Sequence, residues 1–267
     1  MLLLMDGHAM VHRAFRAISV QGHLSVSSTG EDITGVFGFA NVFLRAIQEW
    51  DPTYCAIAFD TPAPTFRHQR FEEYKAQRAA PPPELLQQFP RVKQLMQAFG
   101  VPIFELDGYE ADDVIGAICR QAENQGVDSV ILTGDRDTFQ LISPRVRVDL
   151  SYSIQNRKVY DEAELEARYS GLTAAQQPDF KALVGDSSDN IPGVPQVGEK
   201  RAIGLLTEFH DLEGVFEHLE DVKPPSVKGS LSQSRKRAFE NRILTTIDRE
   251  APVELRLESC RWGQYDR

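Results

Sequence analysis

Acidic residues follow four short apolar runs in the amino-terminal half of the chain. Apolar runs of this length are typical of buried β-strands, and they span residues 2–5, 54–59, 101–106 and 129–132. The first run is followed by Asp6 and the second by Asp60. The third is followed by Glu110, Asp112 and Asp113, and the fourth by Asp135 and Asp137. Because ligands bind at the carboxyl ends of parallel strands, we expect these carboxylates to converge. Such like charges repel one another, and their oxygens suit Mg²⁺ or Mn²⁺ better than zinc. The pattern predicts a metal site.

Each acid also has an ordinary structural explanation. Asp112 and Asp113 would interact favourably with the amino end of a helix dipole, and Asp135 could cap a helix that begins at the next residue. The repetition at four strand ends favours the metal site over these separate explanations. Asp186 and Asp189 lie in the loop GDSSDNIPG, where local turn hydrogen bonds explain them equally well.

Charge is segregated along the chain. Residues 67–93 contain six Lys and Arg against three acids, whereas residues 105–113 contain five acids and no Lys or Arg. The net charge of -10 ordinarily argues against nucleic-acid binding, which depends on clustered Lys and Arg. A basic segment beside a cation-filled acidic pocket nevertheless suits a phosphate backbone.

A glycine-containing loop, GVPQVGEK, runs from Gly193 to Lys200 and precedes a predicted helix. Its glycines would allow close approach to a ligand and would expose backbone N–H groups to a phosphate. A helix stop followed by a new helix would use glycine in the same way. The spacing leaves both explanations open.

Strand and helix patterns alternate up to about residue 160, and helical patterns alone follow. Helices are predicted over residues 33–50, 85–99 and 110–125 in the first part, and over 162–169, 174–184, 200–208 and 235–248 in the second. The alternation predicts an α/β fold with a mainly parallel central sheet flanked by helices. We therefore predict two domains: an α/β core over residues 1–160 and an all-helical region over residues 161–267.

The composition excludes several classes of protein. With 267 residues, 42% hydrophobic and 25% charged, the chain is neither disordered nor a disulfide scaffold. Its three cysteines lack CxxC spacing, which excludes a zinc finger and indicates reduced thiols. The apolar run at residues 2–5 is too short for a signal peptide or a membrane span, so we expect a cytoplasmic protein.

Six long motifs occur in order along the chain. They are MDGHAMVHRAF from Met5, TGVFGFANVFLRAI from Thr34, AFDTPAPTFRHQRFEEYKAQR from Ala58, GYEADDVIGA from Gly108, ILTGDRDTFQLI from Ile131 and GDSSDNIPGVPQVGEK from Gly185. This series resembles the 5′-nuclease superfamily of flap endonuclease-like and PIN-like proteins, and within it the amino-terminal 5′-3′ exonuclease domains of bacterial DNA polymerases I. The resemblance covers essentially the whole chain. It implies a PIN-like sheet, a helical arch at about residues 66–83 and a helix-hairpin-helix motif at about residues 183–209.

The resemblance implies which residues form the site. The two-metal set would be Asp6, Asp60, Glu110, Asp112, Asp113, Asp135, Asp137, Asp186 and Asp189. In the arch, Lys75 and Arg78 would neutralise the scissile phosphate. Tyr74 would stack on an unpaired base, and Arg67 would also contact the DNA. A solvated basic helix face is the alternative for this segment.

The hairpin would bind the duplex. Its DNA contacts would come from Gly193, Val194, Gly198, Lys200 and Arg201, with the cluster at residues 235–237 extending the basic footprint. One position departs from the family pattern: Gln196 stands where glycine is usual, which makes close backbone approach to a phosphate there less favourable.

The function implied is that of a structure-specific 5′-3′ exonuclease and 5′-flap endonuclease of DNA replication and repair. It would use two Mg²⁺ ions, with Mn²⁺ as a substitute, on DNA with a 5′ flap, nick or 5′ end and on RNA-primed DNA. The implied protein is a bacterial, nucleoid-associated monomer without membrane contact, fused to a polymerase in the natural polypeptide. Two alternatives are a PIN-type ribonuclease, which would not need the hairpin, and a non-catalytic DNA-binding module, which would not need so many carboxylates.

Overall fold

A mostly parallel sheet forms the centre of the amino-terminal half. The computed structural model describes residues 1–20, 22–26, 28–151 and 157–263. Within these residues the strands of the main sheet are β1 (Leu2–Asp6), β2 (Tyr54–Ala58), β3 (Ile103–Phe104), β4 (Ser129–Thr133), β5 (Val146–Ser151) and β6 (Arg157–Tyr160), in the spatial order β3-β2-β1-β4-β5-β6. Only β6 runs antiparallel to its neighbour. The predicted fold class is confirmed.

Helices cover both faces of this sheet and make up most of the carboxyl-terminal half. They are α1 (Gly7–Ser19), α2 (Thr34–Trp50), α3 (Phe66–Arg70), α4 (Pro83–Leu86), α5 (Gln88–Ala98), α6 (Ala111–Asn124), α7 (Glu162–Arg168), α8 (Gln177–Val184), α9 (Glu199–Phe209), α10 (Leu212–Glu217) and α11 (Pro225–Thr245). None of the helices in the described residues has the length and apolar composition needed to cross a membrane.

The alternation of side chains along the central strands produces two cores. Leu2 and Leu4 of β1 point to one face and pack with α6, whereas Leu3 and Met5 point to the other and pack with α1, α2 and α5. All four side chains are fully buried. A strand buried on both faces needs an uninterrupted apolar run, which is why these strands could be predicted from the sequence.

Two strands at one side of the sheet, β5 and β6, were not predicted from the sequence. In β5, Arg147 and Asp149 alternate with the buried Val146, Val148 and Leu150, so no continuous apolar run marks it. This period of two is typical of a half-buried strand, but Asp149 is itself buried and accepts from the Trp50 indole N–H at 2.8 Å.

The carboxyl-terminal region contains a small exception to the all-helical prediction. A two-residue strand β7 (Gly185–Asp186) pairs antiparallel with β8 (Ile191–Pro192) in the loop between α8 and α9. In addition, α11 begins ten residues before the predicted start at residue 235. The division into domains at residues 160/161 stays a prediction; the last strand of the sheet ends at Tyr160 and α7 begins at Glu162.

After α11 the chain returns to the sheet through residues 251–262, here called the return segment. The Gln121 amide of α6 donates to the Val253 carbonyl at 2.8 Å and accepts from the Leu255 N–H at 2.9 Å. At the end of the segment, the Trp262 N–H donates to the Thr53 carbonyl at 2.9 Å. The return segment therefore attaches the helical region to α6 and to the residue before β2.

Candidate metal centre

Two of the predicted acids are fixed at the ends of adjacent parallel strands. Asp6 ends β1 and caps α1, because its Oδ1 accepts from the Ala9 N–H at 3.0 Å while the Thr133 hydroxyl donates to its Oδ2 at 2.7 Å. Asp60 lies two residues beyond β2 and accepts from the Ala111 N–H at 2.8 Å. These hydrogen bonds hold the Asp6 carboxylate between the amino end of α1 and the end of β4, and the Asp60 carboxylate at the amino end of α6.

The other acids approach the same edge of the sheet. Asp112 lies in the first turn of α6, close enough to Asp6, Asp135 and Asp137 for their charges to raise its pKa. The Asp135 carboxylate accepts from the Asp137 N–H at 3.0 Å. The structure thus brings together acids from three separate stretches of sequence.

The loop between α8 and α9 supplies the remaining carboxylates. One carboxylate oxygen each of Asp137, Asp186 and Asp189 lie within 4.8 Å of one another. Asp189 is 7% exposed. An arrangement of several carboxylate oxygens at this spacing fits a hard divalent cation, which takes oxygen ligands.

Burial and mutual repulsion make this cluster unfavourable when it is fully ionised. Burial, with smaller contributions from Asp60 and Asp135, raises the pKa of Asp6 to about 7. Burial and the Asp135 charge likewise raise the pKa of Asp137 to about 7, and burial raises the pKa of Asp112 well above its usual value. Bound cations would compensate these charges.

The raised pKa values predict how stability depends on pH. An acid with a higher pKa in the folded state binds more protons there, so stability falls as pH rises from the unfolded pKa of roughly 4 through the folded one. For Asp6 and Asp137 the folded pKa is about 7. In EDTA we expect a lower Tm at pH 8 than at pH 5, and we expect millimolar Mg²⁺ to recover most of the loss at pH 8. Equal Tm values at pH 5 and 8 in EDTA would contradict this.

Side chains of the protein already provide positive charge within the cluster. The Lys75 ammonium lies 2.6 Å from Glu110 Oε1, and the Arg78 guanidinium lies 2.5 Å from Asp189 Oδ1. Lys181 of α8 donates to both Asp137 and Asp186. Lys181 was not predicted as a site residue, because its position five residues before Asp186 belongs to no motif.

Asp113 and Arg67 form a buried pair at the border of the cluster, where the Arg67 guanidinium also lies 3.5 Å from Glu110 Oε2. The Arg67 guanidinium donates to both Asp113 oxygens, at 2.7 and 2.8 Å, and also to the backbone carbonyls of Leu244 and Thr246. Asp113 is fully buried and Arg67 is 2% exposed. This geometry differs from the metal-ligand and DNA-contact roles expected for the two residues, because they form a buried pair that joins α3, α6 and the end of α11.

Tyr74 is also buried. Its ring packs with Ile191 and Leu244 and is 3% exposed, and its hydroxyl lies 3.0 Å from Asp189 Oδ2 and 3.1 Å from Glu110 Oε2. No ring face is available to a base in this conformation. The segment predicted as a helical arch is helical only in α3 and continues in turns, since Lys75 has a φ of 57° that an α-helix does not permit.

The carboxylates open into a cavity of about 1110 Å³ between α1 and residues 77–81. His8 and His12, one turn apart on α1, line it together with Arg16. His8 Nδ1 accepts from the Asp60 N–H at 3.1 Å, and its ring stacks on Phe89 at 4.4 Å. Burial lowers the pKa of His12 to about 4, so its ring is neutral at pH 7. The motif spacing gave no reason to select either histidine.

The predicted hairpin residues divide into internal and exposed groups. A Cβ at Gly193 would lie 2.1 Å from the Val184 carbonyl oxygen, so this glycine allows close packing within the protein. Val194 is buried, and Arg201 donates to the Gln196 carbonyl. Gln196 itself has a φ of 66°, a region that favours glycine.

Gly198 and Lys200 face outward at the amino end of α9. Gly198 precedes the first residue of the helix, and a Cβ there would meet nothing within 4 Å. Lys200 is exposed. These two residues, rather than Gly193 and Val194, are placed where a phosphate has access to the helix terminus.

Comparisons with known proteins agree with this architecture. Residues 1–170 match the family of 5′-3′ exonuclease N-terminal resolvase-like domains, and residues 172–267 match the 5′-3′ exonuclease C-terminal SAM fold. The chain is similar to DNA polymerase I of Chloroflexus aurantiacus, at 46% identity over 100% of this chain and 28% of the relative, and of Bacillus caldotenax, at 40% identity over 100% of this chain and 30% of the relative. It spans less than a third of the length of these relatives.

Solved structures share the fold. T5 5′-exonuclease with bound zinc ions superposes with a TM-score of 0.74 at 21% identity, covering 92% of this chain and 89% of that one. The catalytic core of Rad2 in complex with DNA substrate superposes with a TM-score of 0.61 at 14% identity, covering 98% and 83% of the two chains. Because the two family matches together account for almost every residue, the chain belongs to the 5′-3′ exonuclease family.

Proposed function

We propose that this chain is a Mg²⁺-dependent 5′-3′ exonuclease and 5′-flap endonuclease that hydrolyses phosphodiesters of DNA and of RNA primers in replication and repair. The observation that supports this most strongly is the convergence of eight carboxylates beside a basic segment. They are Asp6, Asp60, Glu110, Asp112, Asp135, Asp137, Asp186 and Asp189. A polyanion would be repelled from such a site unless cations occupied it.

Two groups of these acids would hold two metal ions. Asp6, Asp60, Glu110 and Asp112 would bind the first ion, and Asp135, Asp137, Asp186 and Asp189 the second. When bound, divalent ions supply an activated water and stabilise the charge that develops on the attacking and leaving oxygens, and Mn²⁺ would substitute for Mg²⁺. Asp113 is left out of this assignment because both its oxygens are bonded to Arg67.

Lys75 and Arg78 would act on the scissile phosphate. Both belong to the turn segment after α3, and the Arg78 side chain is half exposed. A phosphate that enters the cavity would compete with Glu110 and Asp189 for these cations, which would then stabilise the charge of the transition state. Tyr74 would reach an unpaired base only if the turn segment moved away from the loop after α8.

The duplex would be held by the α8–loop–α9 motif, which we interpret as a helix-hairpin-helix. The exposed amino end of α9 at Gly198 and the Lys200 ammonium suit a backbone phosphate. Arg201 would contribute after it leaves the Gln196 carbonyl. The Rad2 catalytic core, which shares this fold, is in complex with DNA substrate.

A comparison of substrates tests the proposal. The purified chain is incubated in Mg²⁺ with DNA that carries a 5′ flap, with nicked duplex, with the same flap made of RNA, and with single-stranded RNA alone. We expect cleavage of the flap and nicked substrates to products with 5′-phosphates, and little cleavage of single-stranded RNA. Preferential cleavage of single-stranded RNA would favour a PIN-type ribonuclease, and binding of flap DNA without cleavage would favour a non-catalytic module.

Lys75→Ala should reduce the rate of cleavage more than it weakens DNA binding. Its ammonium lies at the carboxylate cluster, 2.6 Å from Glu110, so its charge is placed to act near the scissile phosphate. We expect a loss on the order of 10²-fold in the single-turnover rate, with Kd for flap DNA within a few-fold of wild type. The control is Lys158→Ala, which removes an exposed lysine of β6 that pairs with Glu164 and is not part of the carboxylate cluster. Equal losses in rate and affinity would make Lys75 a substrate tether only.

A further inference from the structure

Arg16 lines the cavity beside the carboxylates but is not bound to any of them. It is exposed, and it forms no ion pair with an acid of the described residues. The other cations that line the cavity are engaged: Lys75 and Arg78 are each paired with a carboxylate of the cluster, and Arg13 donates to the Gly134 carbonyl. The Arg16 guanidinium can therefore meet a ligand in the cavity without first leaving an acidic partner.

The cavity extends along α1 from the carboxylates to Arg16. His8, His12 and Arg16 are spaced four residues apart, so they lie on one face of the helix, and all three line the cavity. Asp6 caps the beginning of α1, whereas Arg16 lies in its last turn. The ten residues from one to the other correspond to about 15 Å of helix. Asp6 and Arg16 therefore face the same cavity from opposite ends of α1.

The surroundings of Arg16 suit an anion. The acids that line the cavity all belong to the carboxylate cluster, and the wall across from α1 is uncharged at residues 79–81, Ala-Ala-Pro. Burial, followed by the charges of His8, Arg16 and Arg78, lowers the pKa of His12 to about 4, so both guanidinium groups act on a neutral ring. The negative charge of the cavity thus gathers at the cluster, and Arg16 adds positive charge farther along α1.

Building on the proposed function, we propose that Arg16 binds a second backbone phosphate of the cleaved strand, separate from the scissile one. A strand whose scissile phosphate lies at the carboxylates occupies this cavity, so the phosphate that reaches Arg16 belongs to the same strand. The length of α1 between Asp6 and Arg16, about 15 Å, is too great for one phosphate to meet both. A guanidinium suits the contact because it donates two parallel N–H bonds to phosphate oxygens.

Binding of intact DNA tests the proposal without any measurement of activity. Labelled flap DNA is titrated with wild type, Arg16→Gln and Arg16→Lys at several salt concentrations, with Ca²⁺ in place of Mg²⁺ and a gel to confirm that the DNA is uncleaved. Arg16→Gln should weaken binding about five- to tenfold. It should also flatten the slope of log K against log salt by about 0.7 to 0.9, the value for one phosphate contact. Arg16→Lys should keep the wild-type slope.

Neutral linkages locate the phosphate. Each substrate of a series carries one methylphosphonate in the cleaved strand, at successive positions on either side of the scissile phosphate. At the contacted position, wild type should bind as weakly as Arg16→Gln does, and the substitution should cause no further loss. A position in the flap identifies a contact with the unpaired 5′ strand, and one in the duplex a contact with the paired part; both support the proposal. If the only such position is the scissile one, or if there is none, the proposal is overturned.

The matched control is Arg256→Gln, which removes an exposed arginine that pairs with Glu254 and does not line the cavity. It should change neither affinity nor slope. Arg16 also suits the negative end of the α1 dipole. If that is its only role, Arg16→Gln lowers the Tm in EDTA and leaves the salt slope unchanged, which overturns the proposal. Wild type that does not bind flap DNA contradicts the proposed function itself, whereas unchanged binding by folded Arg16→Gln overturns only the Arg16 contact.

Discussion

Asp112→Asn is expected to abolish cleavage and to stabilise the metal-free protein at the same time. The carboxylate lies in the first turn of α6, surrounded by Asp6, Asp135 and Asp137. Removal of one metal ligand should lower the single-turnover rate by a factor on the order of 10³, or about 4 kcal/mol in transition-state stabilisation. Affinity for flap DNA should be retained, because the substitution also reduces repulsion of phosphate.

The expected gain in stability of the metal-free protein follows from the upward shift of the Asp112 pKa. Burial and the neighbouring acids raise it well above its usual value, so the ionised form is disfavoured in the folded state at neutral pH. Asparagine keeps the shape and removes the charge. In EDTA at pH 8 the variant should therefore melt above wild type, by about 2 to 4 °C for each kcal/mol gained.

Asp107→Asn provides the matched control. Asp107 is an exposed acid of the same stretch and is not among the converging carboxylates. Its substitution should alter neither the rate nor the Tm in EDTA. Full turnover by Asp112→Asn would exclude Asp112 as a metal ligand, and a lower Tm would show that the cluster is not under repulsion.

Arg67→Ala is expected to be the most destabilising single substitution considered. Arg67 and Asp113 are almost completely buried and share two hydrogen bonds, and Arg67 also satisfies the carbonyls of Leu244 and Thr246. Truncation leaves the Asp113 charge buried without its partner, which typically costs about 3 to 5 kcal/mol. Chemical denaturation should show this loss as a lower midpoint with an unchanged slope.

Two further variants make this result interpretable. Arg70→Ala removes an exposed arginine of the same helix and should change stability by no more than about 0.5 kcal/mol. Adding Asp113→Asn to Arg67→Ala removes the uncompensated charge and should recover part of the stability. If Arg67→Ala is no less stable than Arg70→Ala, the pair does not hold α3 to α6 and α11.

The convergence of the acids was predictable because it depends on local rules. Asp6 and Asp60 follow buried apolar strands, and parallel strands place their carboxyl ends at one edge. Neither inference needs knowledge of a distant contact. Strands β1 to β4 could be predicted for the same reason, whereas β5, with its alternating polar residues, could not be identified from continuous apolar runs.

The roles of adjacent acids could not be separated from the sequence. Asp112 and Asp113 are neighbours on α6, and successive side chains on a helix point about 100° apart, so only one can face the cluster. Arg67, 46 residues away, determines the direction of Asp113. Likewise, the Tyr74 ring is buried by Ile191 and Leu244, which the sequence places far from the arch.

The return segment bears on which phosphodiester of a bound substrate would be cleaved. A helical region joined to the sheet only near Asp161 would be free to pivot about that single connection. Here the chain is also attached through Gln121 to Val253 and Leu255, and through Trp262 to Thr53, the residue before β2. Together with the hydrogen bonds from Arg67 to the Leu244 and Thr246 carbonyls, these attachments prevent such pivoting and hold α9 at a constant distance from the carboxylates. Under the proposed function, the fixed distance between α9 and the carboxylates would set the number of nucleotides between the bound duplex and the cleaved phosphodiester.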